Sequence, residues 1–261
     1  MTSNDYQRYP LVDTAVGTRL LLGFIADPVA VQRRLPPRWQ IAPLPAFEAL
    51  GLPEEDQPNL VLAFHHLLLD QDAQGRVLSD SGSRFLVFDI PARHPDTGEH
   101  GLVHFQMWTG GAIPGRFRDA LPAHVTHDYH LREESASTRI SEAYQVLTSA
   151  GGLIEMQVTY HRGPLLRQTA GVPNFPLWAA ADPGIVRVYQ EDSVQELLRN
   201  DFTGFNRVQE LAFRVTVPAL ADLFDGQERL VAIWGNPHYM RKVFSPTSEP
   251  VHREEALERQ K

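Results

Sequence analysis

The stretch PGRFRDALPAHVTHDYH, residues 114–130, decides how this sequence is read. A turn dipeptide opens it, Arg116 and Arg118 flank Phe117, Pro122 follows, and His124, His127 and His130 stand at three-residue intervals. Three readings compete: a turn that presents a catalytic group, a metal site, or only the start of a strand. On a strand, His124 and His130 share one face and His127 points to the other. On a helix, three-residue steps drift off a single face. Neither geometry brings all three rings easily onto one ion. No cysteine and no tight histidine–glutamate motif lies nearby, so no metal is expected.

Outward from this stretch the chain reads mostly as strands. NLVLAFHHLLL (59–69) is apolar and ends in a polar turn. RFLVFDIPAR (84–93) alternates, and LVHFQMW (102–108) completes an apparent hairpin. THDYHLRE (126–133) and RISEAYQVLTSAGG (139–152) read as two more strands. In LIEMQVTYHRG (153–163), Ile154, Met156, Val158 and Tyr160 alternate with polar neighbours, as in a half-buried strand. RVQELAFRVTVPA (207–219), RLVAIWGNPHYM (229–240) and the earlier TRLLLGFIA (18–26) have the same style. Helices are expected in three places. One follows Asp27, an N-cap residue with Pro28 at the first helical position, and the others lie near 115–121 and at SVQELLRN, 193–200. The longest irregular stretch, 43–58, is a lid or a plain surface loop. Short strands with frequent turn signals predict one continuous β-rich domain over residues 1–250, a barrel or two-sheet cone. A charged tail, 251–261, follows.

Composition narrows the function classes. The 261 residues carry a formal net charge of −8, which disfavours binding to nucleic acid. No apolar run has the length of a membrane span, and the polar N-terminus has no signal-peptide core. A soluble, cytoplasmic protein is expected. Without cysteine there is no disulfide and no thiolate nucleophile. Lysine occurs only at Lys242 and Lys261, against 22 arginines, so lysine-imine chemistry has few candidates. There is no G-x-S-x-G elbow, no G-x-G-x-x-G and no phosphate loop, so no cofactor is expected.

GRFRDALPAH (115–124) resembles the acetoacetate decarboxylase superfamily, whose pattern is Gly-Arg-Glu, a few residues, an aromatic, then Pro-Lys. Gly115, Arg116 and Pro122 match at the family spacing. FIADPVAVQRRLPPRWQI (24–41) resembles the family's strand, acidic turn and short helix. LSDSGS (78–83) resembles the turn that supplies an active-site carboxylate, with Asp80 in the Glu position, and PNFPLW (173–178) resembles a Pro-Asn-aromatic-x-Leu motif. The matches run over residues 15–240. The resemblance implies a mainly β fold, a partly closed antiparallel barrel or cone with a few short helices, and a homo-oligomer.

The resemblance also marks what is missing. The family's imine-forming lysine and the lysine after it are replaced by Ala123 and His124, and the Glu of Gly-Arg-Glu by Phe117. An alanine methyl cannot turn a carbonyl into an electron sink. By position, His124 and Asp80 become the candidate acid/base pair. Arg116 and Arg19 become the candidate carboxylate-binding groups. Arg19 is offset by two residues from the family's arginine, which on a strand keeps the face. His65 falls where the family has a strand carboxylate. Each also has a structural reading: Arg116 in an ion pair, Asp80 in a turn, His65 in a core, His124 as scaffold. Two functions follow. One is an enzyme that decarboxylates, hydrates or tautomerises a small oxo acid, a lyase-like reaction that stabilises an enolate without an imine. The other is a non-catalytic binding protein for an apolar carbonyl compound or oxo acid, with Phe105, Trp108, Trp178, Phe205 and Trp234 as lining.

Overall fold

The structure, a computed structural model, describes residues 9–48, 52–54, 57–78, 82–111, 120–168, 176–184 and 186–246. The strands are β1 (Leu11–Ile25), β2 (Gln40–Ile41), β3 (Leu60–Asp72), β4 (Ser83–Arg93), β5 (His100–Thr109), β6 (Leu121–Glu133) and β7 (Thr138–Thr148). They continue with β8 (Leu153–His161), β9 (Leu166–Gln168), β10 (Pro176–Ala179), β11 (Val186–Asn200), β12 (Phe205–Asn206), β13 (Val208–Val215) and β14 (Arg229–Phe244). Among the described residues the α-helices are α1 (Pro28–Gln32) and α2 (Pro45–Glu48).

Strand pairing closes a ring. In order round it are β5, β10, β11, β14, β1, β3 and β4, and β4 pairs back onto β5. All these pairings are antiparallel except β5 with β10. A second sheet, β6–β7–β8–β13, joins the ring where β5 and β6 run parallel at Trp108 opposite Leu121. The expected antiparallel cone is therefore present, with two parallel contacts that the sequence reading lacked.

Alternation along each strand sorts side chains to the two faces of the ring wall. On β1, Leu20, Leu22 and Phe24 face outward with Leu62 and Phe64 of β3 and Leu86, Phe88 and Ile90 of β4. They pack against Ile140, Val146, Ile154, Met156 and Val158 of the second sheet. Aromatic edges lock this core: Phe24 lies 5.0 Å from Phe213, and Phe88 meets Trp108 edge-on at 5.5 Å. Each such side chain contributes roughly 1.5–3 kcal/mol by leaving water.

The opposite face of the same strands points into the ring. At one end the interior is apolar: Leu44, Phe47 and Leu52 pack on Leu102, Leu177 and Trp234, with Phe47 stacked on Trp234 at 5.9 Å. Part of the stretch expected as a lid or surface loop thus plugs the ring. Farther along β3, a register shift makes Leu68 the extra residue, because Val16 pairs with Leu69 but Gly17 with Leu67. This bulge resets the alternation. His65 and Leu67 face inward before it, and Asp70 and Asp72 face inward after it. Leu68 itself is exposed.

The Asp27 reading holds, since its carboxylate accepts from the Val29 amide at 3.0 Å and caps α1. The helix expected at 193–200 is instead the end of β11. Ser193 pairs with Tyr239 on one side and Gln168 on the other, so two ladders of hydrogen bonds override local propensity. Register shifts at Val194/Glu196 and Leu197/Arg199 had blurred its alternation. Of the helix expected near 115–121, Leu121 belongs to β6, and residues 112–119 lie outside the described residues, as does the tail 251–261.

Where the ring meets the second sheet the contact is partly polar. His66 of β3 and His127 of β6 bring their Nδ1 atoms within 3.0 Å. The His127 ring stacks on Tyr144 at 4.0 Å, and its Nε2 lies 3.5 Å from Glu142, which accepts from the Tyr160 hydroxyl at 3.0 Å. Burial, then Arg84 and His127, lower the pKa of His66 from its ordinary 6.5 to about 4.

Between pH 6.5 and about 4 the unfolded chain binds the His66 proton and the folded chain does not, so stability is lost as pH falls through that window. In urea titrations, His66→Asn should lose less stability than the wild type over that range; equal losses would show that His66 does not carry the effect. On β5, a Cβ at Gly101 would collide with the Pro176 carbonyl oxygen and the Trp178 ring. Gly101→Ala should therefore cost about 1–3 kcal/mol in chemical unfolding, and an unchanged midpoint would contradict this packing.

Candidate functional site

The ring interior concentrates groups that a core seldom holds. Arg19 of β1 stands opposite His65 of β3 and Asn236 of β14. Its guanidinium donates two bonds to the Glu191 carboxylate, at 3.0 and 2.9 Å, and its Nε donates to Asn236 Oδ1 at 3.0 Å. The Tyr239 hydroxyl also donates to Glu191, at 3.2 Å, and Arg19 lies 4.1 Å over the Tyr239 ring. Three of the five guanidinium N–H groups are thereby used and the charge is matched. The side chains of Arg19 and Glu191 keep 12% and 21% of their exposure, so solvent reaches this part of the interior.

His65 is the centre of the arrangement. It is 5% exposed, stacked on Phe85 at 4.5 Å, with Tyr239 at 5.6 Å. Its Nδ1 has no hydrogen-bond partner. Burial, then Arg19, Arg241 and His104, hold its pKa well below the usual histidine value. It is therefore neutral at ordinary pH, with one ring nitrogen a donor and the other an acceptor. His104 of β5 is hydrogen-bonded to Asp89 of β4, both buried. Arg241 of β14 is 4% exposed, and its guanidinium lies 5.0 Å from the Tyr189 ring centre and 5.9 Å from that of Phe85. Phe85 is on β4, three strands away round the ring, so the Arg241 side chain reaches across the interior.

Of the residues expected from sequence, the structure brings Arg19 and His65 together. His124 does not join them: it is exposed on β6 opposite Leu147, itself exposed. Its neighbours Ala123 and Val125 pack on the core between ring and second sheet, so alternation turns His124 to solvent. Position 123, expected to face a pocket, is in that core, whereas Ala120 packs against the cluster inside the ring. Asp80 and Arg116 lie outside the described residues. His127 points into the contact between ring and second sheet while His124 and His130 are exposed, so the three histidines diverge. The aromatic set also disperses. Trp108 and Trp178 belong to the inter-sheet core with Phe105 packed on it, Trp234 belongs to the plug, and Phe205 lies under Arg207. Lys242 is exposed on β14 between inward-facing Arg241 and Val243, and Lys261 lies outside the described residues. Among the described residues no lysine faces the interior.

Glu191, Asp89, His104, Asp70 and Arg241 were not anticipated. Their signal is present: a charged residue or histidine at the inward parity of an otherwise apolar strand, as in LVFDIP, GLVHF and HYMRKV. A hollow on the outer surface, lined by Phe213, Arg199, Asp201 and Glu228 among others, shares none of these groups.

No protein-family model and no curated protein matches the sequence. Solved structures do match. The enduracididine biosynthesis enzyme MppR complexed with pyruvate is similar at TM-score 0.57 and 12% identity, over 94% of this chain and 92% of that one. The same enzyme complexed with the condensation product of pyruvate and imidazole 4-carboxaldehyde matches at TM-score 0.57 and 12% identity, over 91% and 88%. Acetoacetate decarboxylase from Legionella pneumophila matches at TM-score 0.52 and 12% identity, over 91% and 87%. This chain has the acetoacetate decarboxylase-like fold.

Proposed function

We propose that this protein is an acetoacetate decarboxylase-like enzyme that takes a small oxo acid into the seven-strand ring and stabilises its enolate without an imine. The observation that carries the reading is buried His65, opposite Arg19 and stacked on the Phe85 ring that Arg241 also approaches, with its Nδ1 unpartnered. Guanidinium groups in a low-dielectric interior favour an anion over neutral ligands. Enolate formation moves an electron pair onto the carbonyl oxygen, either as a proton leaves the adjacent carbon or as carbon dioxide leaves a 3-oxo acid. An N–H donor facing that oxygen offsets the new charge. A neutral imidazole can supply that donor or move the proton. The imine route has no interior lysine among the described residues. That structures of MppR hold pyruvate and a pyruvate condensation product is consistent with an oxo-acid site in this fold.

One observation favours the rival, a non-catalytic binding protein. Arg19 already spends its fork on Glu191, which suits a rigid container as well as a reacting site. Proton exchange separates the two. In deuterated water, proton NMR should show loss of the pyruvate methyl signal faster than in buffer. His65→Phe, which keeps the stacking on Phe85, should slow this about 100-fold. Borohydride with pyruvate should leave the protein mass unchanged. If pyruvate and acetoacetate raise the thermal midpoint but no exchange or decarboxylation occurs, the binding protein is the correct reading. A borohydride-trapped adduct would restore an imine mechanism.

A further inference from the structure

One row of the ring interior holds two opposite charges that do not meet. Ala15 of β1 pairs with Asp70 of β3 on one side and Arg241 of β14 on the other. Strands lie about 4.8 Å apart, so the two backbones flanking Ala15 are roughly 10 Å apart. The bulge at Leu68 turns Asp70 inward, and Ala15 puts only a methyl group between the two side chains. Asp70 is 1% exposed and Arg241 4%. No ion pair joins them among the described residues: Asp70 is met by the Gln71 backbone amide, Arg241 by the Tyr239 hydroxyl, and Arg241 Nε has no hydrogen-bond partner. Buried charges are normally paired, because each costs several kcal/mol to strip of water. A facing but unjoined pair has the form of a site that a ligand completes.

We propose that Arg241 grips the carboxylate of the oxo acid and that Asp70, facing it across Ala15, takes up a proton from solvent as that carboxylate docks. This rests on the oxo-acid reading above. The planar guanidinium fork matches a carboxylate, and Arg19 has already spent its own fork on Glu191. A bound carboxylate brings a second negative charge towards Asp70, and two carboxylates in one enclosed space do not both remain ionised. Burial already raises Asp70 to a pKa of about 6, against the pull of Arg241. The other titratable groups on the surrounding inward face are Asp13 on β1, opposite Asp72 on β3, with Arg76 bonded to Asp72. On β11 and β14 they are Arg187, Tyr189, Glu191 and Tyr239, with Glu191 held by Arg19, and His65 stands farther along β3.

Above pH 6 the free protein has Asp70 ionised, so docking takes up a proton and weakens as pH rises, by up to tenfold per unit. Below pH 6 the dependence flattens, since pyruvate itself stays ionised. Titration calorimetry of the full chain with pyruvate, from about pH 5 to 8 and in buffers of different ionisation heat, reads both affinity and proton uptake. The wild type should show the slope and the uptake. Asp70→Asn should abolish both and retain the tight low-pH affinity, and Arg241→Gln should weaken binding at low pH by about tenfold or more. If pyruvate and acetoacetate fail to bind the wild type, the oxo-acid reading falls and this inference with it. If pyruvate binds the wild type and Arg241→Gln equally, the grip is elsewhere while the oxo-acid reading stands. An unchanged slope in Asp70→Asn removes Asp70 from the linkage. Should Arg241→Gln not fold, the Asp70→Asn comparison and the proton count still decide.

Discussion

A ring of strands that closes on itself must fill its own interior, and the pairing that closes this one is β4–β5–β10. Once β5 pairs antiparallel with β4 and parallel with β10, every strand of the wall has two neighbours there and no edge is left open at that seam. Each inward side chain then lies opposite an inward side chain of the next strand. The wall is unusual in what it points inward. Alongside Ala15, Ala63, Val87 and Ala179 stand Arg19, His65, Asp70, Asp89, His104 and Arg241. Burying such groups is tolerable only where partners replace water. Glu191, Asn236 and Tyr239 do this for Arg19, and Asp89 does it for His104. His65 Nδ1 and part of Arg241 are left over: Arg241 lies near the Phe85 ring on which His65 stacks and, across Ala15, faces Asp70.

The outer face supplies the stability that this interior does not. The core between ring and second sheet is built from large apolar and aromatic residues, and the plug of Leu44, Phe47 and Leu52 seals one end of the ring. The charged groups are thus set in a wall stiffened from outside, in a medium where fixed dipoles act strongly and need little reorganisation. The same division explains why a methyl group at position 123 leaves the polar groups of the ring interior in place. Position 123 lies in the inter-sheet core, and the ring's own groups come from β1, β3, β4, β5, β11 and β14 instead.

Much of the fold could be read from residues alone. The period-two pattern of Ile154, Met156, Val158 and Tyr160 is the buried face of β8, and Asp27 with Pro28 marks the start of α1. SVQELLRN misled because two register shifts break its alternation, so neither period stands out, and only pairing with β9 and β14 makes it a strand. The site was half legible. Arg19 and His65 form a cross-strand pair, whereas the offset of two residues spoke only to the face of β1 that Arg19 occupies. Asp70 was hidden by the bulge at Leu68, since a one-residue insertion reverses every face beyond it. The position of His124 after Pro122 suggests a pocket from sequence, whereas strand parity on β6 turns it to solvent. Arg241 stands at the inward parity of β14 while adjacent Lys242 points outward, a distinction that only the register of the strand makes.

The most direct measurement is a crystal structure of the full chain with pyruvate. The predicted result is pyruvate inside the seven-strand ring, its carboxylate within roughly 2.7–3.2 Å of the Arg241 guanidinium and its carbonyl towards His65, with no covalent bond to lysine. Pyruvate bound outside the ring, at His124 or joined to a lysine would contradict the claim that the ring interior is the working site.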